Sequence, residues 1–133
     1  MAHVLIIDND RSVGEALQLM LERAGCSCFF ALDAQAGFEA CESEDFDLAF
    51  IDILMPEIDG LETIKRLRET RPRLPIVAMS GFRLRNASAL APDLLEDAAR
   101  LGATGRLPKP FSNEQLIAVL RSYVFAPAAA LAL

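Results

Sequence analysis

Several short apolar runs of this chain end in polar residues of the kinds that hold metal ions and react with phosphoryl groups. The clearest is Leu48–Ile51, which leads straight into the carboxylate Asp52. Burying an unpaired carboxylate is costly, so Asp52 is expected to have a partner. The candidate partners stand at the ends of the other runs: Asp8, Asn9, Ser80 and Lys109.

These residue types suit phosphoryl transfer. Carboxylate oxygens with a backbone carbonyl nearby form a site for Mg²⁺, which takes an octahedron of oxygen ligands and is commonly paired with phosphate. A carboxylate beside such an ion can attack a phosphoryl group and become an aspartyl phosphate. Lys109 can neutralise further charge as a point cation, and the Ser80 hydroxyl can donate a hydrogen bond to a phosphoryl oxygen.

The elements that would position these residues alternate between strand and helix. The apolar runs predict five strands: Val4–Ile7, Ser27–Ala31, Leu48–Ile51, Ile76–Met79 and Arg106–Leu107. Helix-start signals separate them: Asp10, Asp33 and Ser112 as N-caps, Gly60, and Pro92 in a first turn. This (βα)5 order predicts an α/β fold with an open, doubly wound parallel sheet of five strands. In such a sheet the functional site lies beyond the carboxyl ends of the strands, so the candidate residues are expected on one rim.

Composition narrows the class of protein. The chain has 133 residues and a net charge of −6, which gives it no general attraction for nucleic acid or an anionic membrane. No apolar stretch approaches the length of a membrane span. The three cysteines form no CxxC pair and indicate reduced thiols in a cytoplasmic protein. One domain over residues 1–125 is expected, with an Ala/Leu-rich tail over 126–133 that we expect to be poorly ordered.

Four motifs, in order along the chain, resemble the receiver domain of two-component response regulators. They are "IIDND", "FIDILMPEIDG", "AMSG" and "LPKPF", each at the end of a predicted strand. The resemblance implies a flavodoxin-like fold with strand order 2-1-3-4-5. It also implies roles for individual residues: Asp52 as phospho-acceptor; Asp8, Asn9, Asp52 and the backbone carbonyl of Leu54 around Mg²⁺; Ser80 as the switch hydroxyl; and Lys109 as the site lysine, followed by a cis proline.

The same resemblance implies a function and its partners. A sensor histidine kinase or a histidine phosphotransfer protein would donate a phosphoryl group to Asp52. The surface formed by the fourth helix, fifth strand and fifth helix would then change and bind an unspecified downstream protein, or a second copy in a homodimer that depends on phosphorylation. Such a protein is a signalling receiver rather than an enzyme, since it catalyses only its own phosphorylation and dephosphorylation.

Three features depart from the family pattern. Asn9 replaces the second acid of the metal-binding pair. Arg106 stands where the family usually has an aromatic residue that rotates on activation, so that Phe82 is the remaining candidate for a related part. The segment between Ser80 and Lys109 is also longer than is typical of the family, and its role is open.

These departures leave alternatives open. A pseudo-receiver, which keeps the fold but acts as a protein-binding module without phosphorylation, is supported by Asn9 and Arg106 and opposed by Asp52, Ser80 and Lys109. A flavin protein would need a phosphate-cradling loop after the first strand, where this chain is acidic. A phosphatase would need a second acid at Leu54. Asp10 is interpreted as a helix cap rather than a metal ligand.

Overall fold

The computed structural model describes residues 2–53, 60–80 and 91–125. Five parallel strands form one sheet in the order β2-β1-β3-β4-β5. Their bounds are β1 His3–Ile7, β2 Ser27–Ala31, β3 Leu48–Asp52, β4 Ile76–Ser80 and β5 Gly105–Pro108. The predicted α/β fold and strand order are therefore confirmed. The fifth strand extends by one residue at each end beyond its predicted apolar pair.

Four helices connect the strands and a fifth follows β5, and the helix starts follow the predicted signals. The bounds are α1 Arg11–Arg23, α2 Ala34–Ser43, α3 Gly60–Thr70, α4 Ala91–Leu101 and α5 Asn113–Leu120, which continues into a π-helical turn at Arg121–Phe125. The Asp10 side chain accepts from the backbone N–H groups of Ser12 and Val13, and Asp33 accepts from that of Ala36. Ser112 and Gln115 form a reciprocal capping box. Asp10 is thus a helix cap, as the sequence indicated.

The sheet is covered on both faces, which explains why the three central strands, β1, β3 and β4, are almost entirely apolar. On one face α2, α3 and α4 bury residues such as Ile7, Ile51 and Ile64. On the other face α1 and α5 bury residues such as Phe50 and Leu116. Among the described residues, no helix is long and apolar enough to cross a membrane.

The helical spacing of apolar residues in α1 predicts an inward stripe of Val13, Ala16, Leu17, Met20, Leu21 and Ala24, and the structure differs from it at Ala16. The spacing of apolar residues places Ala16 inward, but it is exposed, and Gly14 is buried instead. A Cβ atom at Gly14 would lie 2.1 Å from the Phe30 ring. The helix therefore meets β2 through a glycine because the large Phe30 side chain occupies the space between them.

The three cysteines are free thiols that serve packing. Cys26 and Cys28 lie on the α1 side of the sheet, and Cys41 lies on the α2 side. Burial raises the pKa of all three, and that of Cys28 reaches about 12. Their thiolate forms are therefore disfavoured near neutral pH, as expected of structural rather than reactive cysteines.

Candidate functional site

Four of the predicted site residues lie at the carboxyl end of the sheet. Asp8 directly follows β1, Asp52 ends β3, Ser80 ends β4 and Lys109 directly follows β5. These four strands are consecutive neighbours in the sheet. Because parallel strands all end at the same edge, residues that are far apart in the chain meet there.

Lys109 joins the two carboxylates. Its Nζ atom lies 2.5 Å from Oδ2 of Asp8 and 3.5 Å from Oδ2 of Asp52. The side chains are almost fully buried, with exposed fractions of 10% for Lys109, 0% for Asp8 and 3% for Asp52. The Asp10 backbone N–H donates to the other oxygen of Asp8 at 2.9 Å. The cluster thus holds two acids and one cation, and low solvent exposure makes their interactions stronger than on the surface.

Backbone hydrogen bonds hold the strand ends in place. The Lys109 N–H donates to the Ser80 carbonyl at 2.7 Å, and the Ile53 N–H donates to the Met79 carbonyl at 3.0 Å. The Lys109–Pro110 peptide is cis, as the resemblance implied. Ser80 itself is 7% exposed. The backbones that carry Asp52, Ser80 and Lys109 are therefore directly linked across β3, β4 and β5.

Gly60 is a part of the site that sequence reasoning did not identify. The sequence indicates only a helix start at Gly60, but this residue packs against the backbone immediately after Asp52. A Cβ atom at Gly60 would lie 2.1 Å from the Asp52 carbonyl oxygen and 2.2 Å from the Ile53 Cα. The Gly60 N–H also donates to the Ile53 carbonyl at 3.3 Å. The first residue of α3 therefore fixes the end of β3, and only glycine fits there without a shift.

The donor atoms of the site suit a hard cation. Within the described residues no group of three or more His, Cys, Asp or Glu side chains is arranged to hold a metal ion. The side-chain oxygen of Asn9, one residue after Asp8, is buried and has no hydrogen-bond partner among the described residues. Buried polar atoms are rarely left without a partner. An oxygen-only donor set of this kind fits Mg²⁺ better than a softer metal.

The remaining predicted residues lie apart from this cluster or outside the described part of the chain. Arg106 lies in β5 with its side chain exposed. Leu54 and Phe82 fall outside the described residues, as does the tail 126–133.

Comparisons with known proteins agree with this architecture. The family model of the response regulator receiver domain matches residues 4–121. The transcriptional regulatory protein FixJ of Bradyrhizobium diazoefficiens is 32% identical over 122 residues, which cover 92% of this chain and 56% of FixJ. Response regulator MprA of Mycolicibacterium vanbaalenii is 34% identical over 121 residues, which cover 90% of this chain and 48% of MprA. The chain thus spans about half the length of these curated relatives.

A solved structure is similar over nearly its whole length. The chemotaxis protein CheY4 of Vibrio cholerae aligns with a TM-score of 0.82 and 27% identity, covering 93% of this chain and 99% of that one. The family match extends over most of the chain, and the strand order is the one that the motifs implied. The chain therefore belongs to the response regulator receiver domain family of two-component signalling systems.

Proposed function

We propose that this domain is a phospho-acceptor, and that Asp52 receives a phosphoryl group from a phosphohistidine on a sensor kinase or a phosphotransfer protein. The observation that carries the proposal is the position of the Lys109 ammonium, between the buried carboxylates of Asp8 and Asp52. A purely structural ion pair needs one acid for one base. Asp8, Asp52 and Lys109 together carry one excess negative charge in a buried place, which is costly for folding and which a bound cation would offset.

The transfer step follows from the groups present. An oxygen of the Asp52 carboxylate attacks the phosphorus atom, a new P–O bond forms, and the P–N bond to the donor histidine breaks. The electron pair of that bond goes to the imidazole nitrogen, which takes up a proton. Lys109 stays charged throughout and faces the oxygen atoms that carry negative charge, while the Ser80 hydroxyl donates to a phosphoryl oxygen.

A magnesium ion belongs to this proposal. Asp8, Asn9, Asp52 and the backbone carbonyl of Leu54 would hold it. When bound, the ion would neutralise charge on the phosphoryl group. The buried, unpartnered amide oxygen of Asn9 supports this assignment, since a cation or its water ligands would satisfy it. Asn9 carries no charge, so the affinity for Mg²⁺ is expected to be lower than with an acid at this position.

The output would be a shift between two packings of the surface formed by α4, β5 and α5. Ser80 ends β4, and its backbone carbonyl accepts a hydrogen bond from the Lys109 backbone N–H. A displacement of Ser80 toward the phosphoryl group would therefore also displace the end of β5. The opposite end of α4 is held by Arg68, which donates two hydrogen bonds to the Gly102 carbonyl, at 2.7 and 3.1 Å. We therefore expect movement at the amino end of α4 rather than at its carboxyl end. Phe82 and Arg106 are the proposed switch residues.

The partners and location are part of the same proposal. Residues 1–125 would form the receiver domain, which acts in the cytoplasm and meets its kinase and an unspecified downstream protein there. A homodimer that forms on phosphorylation is one form that the output could take. The domain would catalyse only its own phosphorylation and dephosphorylation.

The test is phosphorylation by a small donor. Purified protein is incubated with acetyl phosphate and Mg²⁺, and its intact mass is followed with time. Wild type should gain the mass of one phosphoryl group, and Asp52→Asn should gain none. Asp45→Asn is the matched control, because Asp45 is exposed and lies in the loop before β3, at the opposite end of the strand. A wild type that is never modified by a small donor or by a phosphorylated kinase would favour the pseudo-receiver instead.

A further inference from the structure

The two edges of the sheet differ in how they are protected. Edge strands expose backbone groups that can pair with another strand, and proteins usually block them with charges, prolines or covering side chains. The β5 edge has all three kinds of protection. Arg106 is exposed and charged, and Pro108 lacks a backbone N–H. The Tyr123 side chain covers Gly105 so closely that a Cβ atom on Gly105 would lie 2.5 Å from the Tyr123 hydroxyl oxygen.

The β2 edge has none of these devices. Its sequence, Ser27–Ala31, contains no charge, proline or glycine, and its first four residues are only partly buried. The next residue, Leu32, is 38% exposed and is one of two exposed large apolar residues in the described part of the chain. An uncharged apolar strand therefore lies open along this edge.

The hydrogen-bond pattern identifies which groups are free. The Ser27 N–H donates to the Ala2 carbonyl, and the Asp8 N–H donates to the Ala31 carbonyl. Residues 27, 29 and 31 thus direct their backbone groups toward β1. Because backbone direction alternates along a strand, Cys28 and Phe30 direct both N–H and C=O away from the sheet. Within the described part of the chain, four backbone groups on this edge are therefore available to another strand.

We propose that β2 pairs with β2 of a second copy of this chain, antiparallel and about a two-fold axis at Phe29. In that register Cys28 of each copy faces Phe30 of the other, which is the arrangement in which two residues exchange both hydrogen bonds. All four free groups are then used. The two sheets would join into one continuous sheet with two fewer open edges.

The choice of a second copy rests on symmetry, and net charge provides a way to test it. A contact between two identical surfaces about a two-fold axis requires a surface that complements itself. The antiparallel β2–β2 register meets this requirement, and it places no charged residue opposite another. Each copy carries a net charge of −6, so long-range repulsion opposes association and salt should strengthen it. A basic peptide partner would show the opposite salt dependence.

The first test is sedimentation equilibrium of the full chain over a range of protein and NaCl concentrations. Wild type should self-associate, more strongly as salt is raised. Cys28→Pro removes a donor that faces away from β1 and replaces a partly buried side chain, so the sheet should still form while association weakens by about thirtyfold, since two hydrogen bonds are lost per dimer. Cys28→Val keeps the N–H group and is the matched control. A wild type that stays monomeric, or equal association of the two variants, overturns the proposal.

A second test does not depend on the proline variant folding. In the Cys28→Val background, Phe29→Cys should form a disulfide between the two copies under mild oxidation, because residues at the two-fold axis have Cα atoms about 4.5 Å apart. Leu19→Cys is the control, since Leu19 lies on α1 and is 48% exposed. Random collision would link the more exposed Leu19→Cys faster, and that result would contradict the pairing. Asp52→Asn should not change either result, so this proposal and the phospho-acceptor role can fail separately.

Discussion

Replacing Lys109 with methionine should destabilise the protein strongly, because the lysine is the partner of two buried carboxylates. Methionine keeps most of the apolar stem and removes the charge. The Nζ atom lies 2.5 and 3.5 Å from Asp8 and Asp52, and neither carboxylate is more than 3% exposed. Unit charges about 4 Å apart interact by about 4 kcal/mol at an effective dielectric constant near 20.

The expected loss in the free energy of unfolding is about 3–5 kcal/mol, the range for removing one partner of a buried ion pair. The Asp10 N–H still donates to Asp8 and compensates part of the loss for that residue. For a chain of this length the melting temperature should fall by about 10–20 °C. Added Mg²⁺ should stabilise Lys109→Met more than wild type, because the ion would supply the missing positive charge.

The assay is urea unfolding followed by far-ultraviolet circular dichroism, since the chain contains no tryptophan. Lys65→Met is the matched control. Lys65 is the only other lysine, and it is exposed on α3, so its replacement should change the free energy by no more than about 0.5 kcal/mol. If Lys109→Met unfolds within about 1 kcal/mol of wild type at neutral pH, the lysine does not hold two charged carboxylates, and the electrostatic account of the site is wrong.

Three further changes have defined outcomes. Gly60→Ala should lower the free energy of unfolding in urea by about 1–3 kcal/mol and slow phosphorylation, because the added Cβ atom would lie 2.1 Å from the Asp52 carbonyl oxygen. An unchanged free energy and an unchanged rate would show that this contact is unimportant. Asn9→Asp should raise Mg²⁺ affinity by about tenfold in calorimetry and lower stability without metal, whereas equal affinity would show that position 9 does not face the ion. The free energy of unfolding should fall as pH rises above about 9, because thiols ionise there in the unfolded chain while burial raises the pKa of Cys28 to about 12 in the folded protein. Cys28→Ala should make this decrease with pH less steep. An unchanged decrease would show that burial of the Cys28 thiol does not cause it.

The features predicted well from the sequence are those with local signals. Four of the five strands are short, mainly apolar runs, and Asp10, Asp33 and Ser112 mark helix starts through side chains that bond to nearby backbone N–H groups. When five strands and five helices alternate along a chain, the rule of right-handed crossovers permits only a few sheet topologies. In each of them the carboxyl ends of the parallel strands lie at the same edge of the sheet. This is why the contact of Lys109 with Asp8 and Asp52, although distant in sequence, could be expected.

Features that depend on distances between elements could not be predicted. Nothing local to Gly60 indicates that the backbone after Asp52 lies within contact distance, and the usual meaning of glycine before a helix is a turn. The burial of Gly14 in place of Ala16 depends on where Phe30 packs. The free backbone groups of the β2 edge follow from strand order and register, which periodicity alone does not specify.

The most direct test of the phospho-acceptor role is to map the modified residue. Protein treated with acetyl phosphate and Mg²⁺ is reduced with borohydride, which converts an aspartyl phosphate to homoserine, and its peptides are sequenced by mass spectrometry. The account predicts homoserine at position 52 in wild type and in Asp45→Asn, and none in samples without the phosphoryl donor. Homoserine at Asp8 or at any other aspartate, with Asp52 unmodified, would contradict it.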